Sequence, residues 1–395
     1  MRLLIVNYEY PPVGGGASNA SWFLAKALVG QGHAVSVVTS AFEDYRGLKV
    51  EEEVRVHRIP ALRKKIDSAD MRQMRHFVAS ALAYAPFIVR RDRIEGMIIY
   101  FTLPSGLVGY WLKILFRLPY LVSLQGGDVP GLIPELDRTH HRLRWPRRRI
   151  LRAARAVVAN SQGLADVSAK TDPVPVAVVP NGVDCTLFHP AAESETDPER
   201  PFRIFFAGRL QKQKNLEVLL DAVARLKRDG LTDFELDIAG DGPLGPATRQ
   251  YAADLGLADD ITWHGWLAKP ELIAQYRRAD CFVNPSLYEG LPNTVTEAMA
   301  CGLPVVASRV IGNDELVTDQ ATGLLFDLAQ PRQLGEALAR LMHDRAAAQR
   351  MGAAGRALVL ADYSWEAAAE AYVRLLRGAR AGAVQEAAPL HEPRA

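Results

Sequence analysis

The chain has 395 residues, too long for one hydrophobic core, which predicts two or three domains. It contains 49% hydrophobic and 23% charged residues, as ordinary globular proteins do, and its three cysteines form no C-x-x-C pair that would indicate a disulfide framework or structural zinc. The net charge of +2 conceals an asymmetry, because residues 1–190 carry 25 Lys+Arg against 16 Asp+Glu (+9) and residues 191–395 carry 22 against 29 (−7). No stretch reaches about 18 continuous apolar residues, and the first residues lack a signal-peptide pattern. We therefore expect a cytoplasmic protein without a transmembrane span.

Short apolar segments alternate with amphipathic helical segments along the whole chain. In the first half, the predicted strands are 3–7, 34–39, 54–59, 97–100, 120–124, 157–160 and 176–179, with helices at 17–29, 70–90, 106–116 and 146–154. In the second half, the predicted strands are 203–207, 235–239, 261–264, 281–284, 305–307 and 324–326, with helices at 216–228, 245–255, 270–278, 294–300 and 331–342. This alternation predicts the α/β class, with two doubly wound Rossmann-like domains that face each other across a cleft.

A segment without apolar periodicity separates the two halves. It contains two prolines and predicts a linker over 189–200. The N-terminal domain is then 1–188 and the C-terminal domain 201–362. We further expect a helix over 363–380 that crosses back to the N-terminal domain, and a disordered tail over 381–395.

A glycine-rich turn follows the first predicted strand. Gly14, Gly15 and Gly16 leave the backbone uncovered before a helix, whose N-terminal N–H groups suit a diphosphate. A tight turn without a ligand is the alternative. The dinucleotide fingerprint G-x-G-x-x-G is absent, and Ser40 stands where a ribose-binding acid would be needed.

Eight arginines without an acidic residue lie between Arg138 and Arg155, with Trp145 among them. Such a cluster is either a solvated helix face or a surface for anionic lipid headgroups or a phosphorylated acceptor. Nucleic acid is not expected, since no basic strand with interspersed aromatic residues accompanies the charge.

Two cations flank the loop after the first strand of the second half. Arg209 and Lys214 can neutralise a leaving diphosphate without a metal, although the lysine could also belong to a solvated face. No Asp-x-Asp pattern follows a strand to hold Mg²⁺, so no metal is predicted. The tight turns at Gly242 and Trp266, after the next two strands, can approach a planar base.

Two glutamates separated by seven residues flank a Gly-Leu-Pro turn between a predicted strand and a helix. Carboxylates such as Glu289 and Glu297 accept hydrogen bonds from vicinal hydroxyls, and the N–H groups of the turn suit phosphate. Together they indicate a nucleotide sugar. A helix-start glutamate and a solvated glutamate are the alternative interpretation.

These residues resemble the retaining nucleotide-sugar glycosyltransferases of family four, group 1, which include bacterial cell-envelope and lipopolysaccharide transferases with the GT-B fold. The resemblance covers nearly the whole chain and is most specific over residues 285–306. It implies that Glu297 binds the ribose hydroxyls and that Glu289 faces the donor sugar, while Arg209 and Lys214 hold the diphosphate. The resemblance also implies that backbone N–H groups near Leu291, Pro292, Asn293 and Thr294 and at Gly15 and Gly16 help to bind the donor. Gly242 and Trp266, in the two turns named above, complete the candidate donor-binding residues.

Two positions depart from the family pattern. Gln125 stands where a histidine is common near the reacting sugar, and an amide cannot act as a base. Asp128 is the nearest ionisable substitute, so both residues join the candidate catalytic group with Glu289, Arg209 and Lys214. The usual glycine pair before the following helix is altered to Val-Ile-Gly-Asn-Asp over 310–314.

We expect a retaining, metal-independent transferase of hexosyl type that uses no cofactor. It would move a sugar from a nucleoside diphosphate to a hydroxyl of a glycan or lipid-linked acceptor in cell-envelope polysaccharide biosynthesis. The basic cluster predicts peripheral association with an anionic membrane surface on its cytosolic face. A nucleotide-sugar epimerase and a non-catalytic nucleotide-sugar binder are the alternatives.

Overall fold

The computed structural model describes residues 1–66, 69–191 and 200–378, which divide into two compact units. The first unit contains Met1–Gly182 and a helix that begins at Trp365, and the second contains Val183–Ser364. Val183 and Phe188 pack in the hydrophobic core of the second unit, so the division precedes the predicted boundary at 188. Most of the predicted linker over 189–200 and all of the predicted tail over 381–395 lie outside the described residues.

In the described part of the first unit, eight strands form one sheet in the order β3-β4-β2-β1-β5-β6-β7-β8. They are β1 (Arg2–Val6), β2 (Ala34–Ser40), β3 (Gly47–Glu51), β4 (Val54–Ile59), β5 (Gly96–Tyr100), β6 (Tyr120–Leu124), β7 (Ala156–Ala159) and β8 (Val176–Val178). Only the edge pair of β3 and β4 is antiparallel among these strands. The sequence did not predict β3, because nearly all of its residues are exposed and it contributes little to an apolar pattern.

Helices connect these strands. They are α1 (Gly16–Gly30), α2 (Met71–Arg91), α3 (Ser105–Phe116), α4 (Asp137–Arg142), α5 (Arg144–Ala153) and α6 (Gln162–Thr171). A capping box begins α2: Asp70 accepts a hydrogen bond from the Gln73 N–H at 2.8 Å, and Gln73 accepts one from the Asp70 N–H at 3.2 Å. The sequence predicted neither α4 nor α6.

In the described part of the second unit, six parallel strands form a sheet in the order β11-β10-β9-β12-β13-β14. They are β9 (Phe202–Ala207), β10 (Phe234–Ala239), β11 (Ile261–Gly265), β12 (Cys281–Asn284), β13 (Val305–Ser308) and β14 (Gly323–Phe326). The helices are α7 (Leu216–Arg228), α8 (Gly245–Asp254), α9 (Lys269–Arg278), α10 (Asn293–Ala300), α11 (Asn313–Leu316), α12 (Arg332–His343) and α13 (Arg345–Asp362). Alternate residues of β9 enter two separate cores, one on each face of the sheet.

The last described helix, α14 (Trp365–Arg377), belongs to the first unit. The Trp365 ring stacks on Phe23 of α1 at 5.6 Å between centroids, and the Tyr372 hydroxyl lies 2.7 Å from the Ser123 Oγ of β6. None of the described helices has the length and apolar character needed to cross a bilayer. The predicted fold class of two doubly wound α/β units is confirmed.

Candidate active site

Four candidate residues follow neighbouring strands of the second sheet. Arg209 comes two residues after β9, Gly242 three after β10, Trp266 directly after β11 and Glu289 five after β12. Because these strands are parallel, their carboxyl ends lie at one edge, where open α/β sheets bind ligands. The structure therefore brings the predicted donor-binding loops to a common edge.

The buried Glu289 and the half-buried Lys214 form an ion pair at this edge. The Lys214 Nζ lies 2.6 Å from the Glu289 Oε1, across 75 positions of sequence, and the Ser286 Oγ lies 2.7 Å from the same oxygen. Glu289 is only 7% exposed, and the free-energy cost of burying a carboxylate is offset by such a cation and such hydrogen bonds. Since an ammonium carries three hydrogens and this contact takes one, Lys214 can also donate to a second anion.

Buried polar side chains connect Glu289 to the loop after β13. The Ser286 Oγ also lies 2.7 Å from the Asn284 Oδ1, and the Asn284 Nδ2 donates to the Asn313 Oδ1 at 2.9 Å. The Asn313 Nδ2 donates in turn to the Ser308 carbonyl at 3.0 Å. Because the Ser286 hydroxyl has one hydrogen, the carboxylate of Glu289 and the amide oxygen of Asn284 share a single donor.

Sequence reasoning missed Asn284, Ser286 and Asn313 as site residues. The available signal was a short polar residue at the end of a buried strand and another within the altered segment 310–314. Gly312, at φ +84°, brings that segment so close to the Gly290 carbonyl that a side chain at 312 would collide with it. The altered segment thus supplies the buried Asn313.

Glu297 lies on α10 and contacts Tyr276 of α9. The Tyr276 hydroxyl lies 3.0 Å from the Glu297 Oε2 and 3.2 Å from the Thr294 carbonyl. Burial raises the pKa of Glu297 to about 7, and the hydrogen bond from Tyr276 opposes this shift. The half-buried Glu297 is therefore a carboxyl group whose charge is sensitive to pH near neutrality.

The turn before α10 contains the remaining predicted phosphate-binding residues. Leu291 and Pro292 are buried, and α10 begins at Asn293 with Pro292 as an N-cap that makes no side-chain cap hydrogen bond. Asn293 and Thr294 lie in the first helical turn, where backbone N–H groups are directed toward the N-terminal end of the helix. This geometry suits a phosphate at the helix N-terminus.

The loops after β9 and β10 pack backbone against backbone. The Leu210 N–H donates to the Asp241 carbonyl at 3.0 Å, and a side chain at Gly242 would collide with the Leu210 backbone. Glycine at 242 is therefore required for the packing that fixes the half-buried Arg209. The Trp266 side chain is 62% exposed and offers a flat aromatic surface.

In the first unit, Gly16 begins α1 and Gly15 is its N-cap, without a side-chain cap hydrogen bond. The Gly14 N–H donates to the Ile66 carbonyl at 2.8 Å, which ties the glycine-rich turn to the segment after β4. Glycine at the N-cap and at the first helical position leaves the backbone of this turn without side-chain cover. Donor binding at Gly15 and Gly16 stays a prediction.

Asp128 connects two loops of the first unit. Its Oδ2 accepts hydrogen bonds from the Thr102 N–H at 2.6 Å and the Thr102 hydroxyl at 3.0 Å, and its Oδ1 accepts one from the Gln125 N–H at 2.9 Å. Burial raises the pKa of Asp128, while these hydrogen bonds oppose the shift. The Gln125 side chain is half-buried and donates to the Ser123 Oγ at 2.8 Å. These contacts give Asp128 the geometry of a brace between the loops after β5 and β6.

The arginine cluster is not a uniform surface, which corrects the sequence interpretation. Arg147 is 3% exposed and binds both carboxylate oxygens of Asp172, at 2.6 and 3.1 Å. Arg148 lies 3.2 Å from the same carboxylate. Arg147 therefore belongs to the interior, because Asp172, at the end of α6, neutralises it.

The candidate residues form two groups, each described within its own unit. Gly15, Gly16, Gln125 and Asp128 belong to the first unit, and the others belong to the second. Among the described residues, no group of three or more His, Cys, Asp or Glu side chains is arranged to hold a metal ion.

Comparison with known proteins gives two family matches. Residues 190–358 match the model of "Glycosyl transferases group 1", and residues 15–182 match that of "Glycosyl transferase 4-like domain". The D-inositol 3-phosphate glycosyltransferase of Paenarthrobacter aurescens is 30% identical over 367 residues, which are 87% of this chain and 89% of that protein.

Two solved structures have a similar fold. The sucrose-phosphate synthase of Thermosynechococcus elongatus superposes with a TM-score of 0.82 at 24% identity, over 95% of this chain and 98% of the other. HepE of Anabaena, solved in complex with UDP-glucose, gives a TM-score of 0.76 at 19% identity, over 96% of this chain and 100% of the other. At these identities the likeness shows the fold alone, which is the predicted GT-B arrangement.

Proposed function

This chain belongs to the glycosyltransferase group 1 family, and we propose that it moves a sugar from a nucleoside diphosphate to an acceptor hydroxyl with retention of anomeric configuration. The observation that carries the proposal is the Lys214–Glu289 ion pair at the carboxyl edge of the second sheet. Family membership does not favour the epimerase alternative. The donor site is assigned to the second unit.

The proposed reaction takes place on one face of the sugar. The acceptor oxygen forms a bond to the anomeric carbon as the bond to the diphosphate breaks, and the departing phosphate oxygen takes the acceptor proton. Negative charge develops on the diphosphate, where Arg209 and Lys214 can stabilise it. Glu289 orients the Lys214 ammonium in advance, so little reorganisation is needed when the charge appears.

We assign the nucleotide to the turn before α10 and to the glutamate beyond it. The diphosphate would accept hydrogen bonds from the N–H groups at Asn293 and Thr294, and the ribose hydroxyls would donate to Glu297. The exposed Trp266 indole suits stacking with the base. HepE was solved with UDP-glucose, which makes this donor the first to test.

We propose that the acceptor carries negative charge or is presented at a charged surface. Residues 1–190, which include most of the first unit, have a net charge of +9, whereas residues 191–395 have a net charge of −7. The name of one relative contains inositol 3-phosphate, a phosphorylated hydroxyl compound. A soluble phosphorylated acceptor and a lipid-linked acceptor share this chemistry.

Purified protein incubated with a panel of nucleotide sugars, beginning with UDP-glucose, tests the proposal. We expect release of nucleoside diphosphate only when an acceptor is present, and an NMR coupling of the product that reports the donor's anomeric configuration. Turnover should persist in excess EDTA; loss of turnover that Mg²⁺ or Mn²⁺ restores would disprove the metal-independent reaction. Binding without release would indicate a non-catalytic binder, and an altered sugar on an intact diphosphate would indicate an epimerase.

A further inference from the structure

Three neighbouring helices of the first unit expose large apolar side chains. We call this surface the α2–α3–α5 face; its members are Tyr84, Phe87, Trp111, Ile114, Leu115 and Trp145. Phe87 is 65% exposed and Trp145 is 70% exposed, values that burial in a core would not permit. Exposed apolar patches of this kind mark interaction sites.

Contacts between the helices make the face continuous. The Arg90 guanidinium of α2 lies 5.4 Å from the Phe116 ring centroid of α3, and the Arg149 Nε of α5 donates to the Tyr110 hydroxyl of α3 at 2.7 Å. Trp111 and Leu115 lie one helical turn apart on α3, on the same side as Ile114. The apolar side chains of α3 therefore lie between those of α2 and α5.

The charge of the face has one sign. The sequences of α2, α3 and α5 contain ten Lys and Arg residues and no Asp or Glu. Asp172 neutralises Arg147 and Arg148, and Asp92, directly after α2, lies 2.8 Å from Arg91. Arg90, Arg149 and Arg152 are exposed. The Arg149 guanidinium lies 5.5 Å from the Trp145 ring centroid, so cation and aromatic ring are presented side by side.

We propose that the α2–α3–α5 face docks on the surface of an anionic lipid bilayer. Apolar side chains can enter the headgroup boundary while the surrounding arginines bind phosphates, and tryptophan favours this depth. A second copy of the chain is a poor partner, because a symmetric contact would bring the same cations together. The purpose of docking, access to a membrane-presented acceptor, rests on the proposed function; the surface itself involves no donor-site residue.

Co-sedimentation of the full chain with vesicles tests the proposal. The vesicles consist of phosphatidylcholine alone or of equal parts phosphatidylcholine and phosphatidylglycerol. We expect binding to the anionic vesicles at low salt and release at high salt, since exposed charges are screened within a Debye length. The double variant Trp111→Ser/Ile114→Ser should weaken binding at least about tenfold. Arg149→Gln and Arg152→Gln should each weaken it about fivefold.

Matched controls lie away from the face. Val50→Ser removes an apolar side chain that is 66% exposed on the edge strand β3, and Arg228→Gln removes an exposed cation from α7 of the second unit. Both should bind vesicles like the wild type. Failure of the wild type to bind, or equal weakening by controls and face variants, would overturn the proposal. So would a dimer in sedimentation velocity that Trp111→Ser/Ile114→Ser dissociates, because a second copy would then occupy the face.

Sugar transfer to a soluble acceptor, measured in parallel, separates this inference from the proposed function. If the protein transfers sugar but does not bind vesicles, the docking surface is disproved and the transferase activity is supported. If the protein binds vesicles through this face but consumes no nucleotide sugar, the docking surface is supported and the proposed transferase activity is disproved.

Discussion

Glu289 and Asp128 are both buried carboxylates that follow strands of parallel sheets, but their partners differ. Glu289 contacts an ammonium and a hydroxyl, and Asp128 contacts two backbone N–H groups and a hydroxyl. A cation held by a carboxylate can share its hydrogens with an arriving anion, whereas backbone donors are fixed in their loops. The comparison teaches that the partners of a buried carboxylate decide whether its site has a hydrogen-bond donor left for a further group: the Lys214 ammonium has one, and the backbone N–H groups at Asp128 do not.

Removal of the Lys214 ammonium, the partner of Glu289, should have the largest effect on stability and turnover. Lys214→Met leaves the Glu289 charge buried and unpaired, so the free energy of unfolding should fall by about 3–5 kcal/mol. Turnover should fall at least about 100-fold, because the charge on the leaving diphosphate loses a donor. Urea denaturation and steady-state kinetics measure the two effects.

Two controls accompany this variant. Lys212→Met changes an exposed lysine of the same loop and should alter stability by less than about 0.5 kcal/mol. Lys214→Met combined with Glu289→Gln removes both charges and should regain stability without regaining turnover. Turnover near wild type in Lys214→Met would contradict the assigned role.

Substitution of Asp128, the proposed brace, should lower stability but change turnover little. Asp128→Asn turns an acceptor into a partial donor that faces the donors of Thr102 and Gln125, so the free energy of unfolding should fall by about 1–3 kcal/mol. If Asp128 acts only as this brace, turnover at a permissive temperature should stay within about threefold of wild type. A variant of native stability that has lost turnover would support the predicted catalytic role of Asp128 instead.

The architecture was predictable from the sequence because parallel strands are continuous apolar runs bounded by turns. The residues that contact the buried carboxylates were not predictable from the sequence. Lys214 and Glu289 are 75 positions apart, and nothing local in either segment indicates that they touch. Likewise, Arg147 belongs to a run of arginines, and only its contact with Asp172 shows that it is interior.

Loss of the hydroxyl that restrains Glu289 should have a smaller effect. Ser286→Ala removes one hydrogen bond to the carboxylate and leaves the Lys214 ion pair in place. Turnover should fall about tenfold, with little change in nucleotide affinity, because only the orientation of Glu289 is affected. Ser40→Ala, a buried serine of the first unit, is the matched control. Loss of affinity without loss of turnover would place Ser286 in nucleotide binding instead.

The smallest expected effect is the pH dependence of UDP affinity that results from protonation of Glu297. Its pKa is about 7 in the unliganded protein, so below that pH the group must release its proton before it accepts hydrogen bonds from ribose. Affinity for UDP should therefore rise with pH, by at most about tenfold per pH unit, and level off above pH 7. Calorimetry at several pH values measures the UDP affinity of the wild type and of Glu297→Gln. The diphosphate of UDP titrates in both experiments, so the affinity of the wild type should rise more steeply with pH than that of the variant. Identical slopes in the two proteins would remove Glu297 from ribose binding.

The ribosome makes the last described helix of the first unit after the whole of the second unit. Until Trp365 emerges, Phe23 of α1 lacks its stacking partner and Ser123 of β6 lacks the Tyr372 hydroxyl. The second unit is continuous in sequence and can complete its cores first. During synthesis, the parts of α1 and β6 that pack against α14 therefore remain uncovered until α14 has been made.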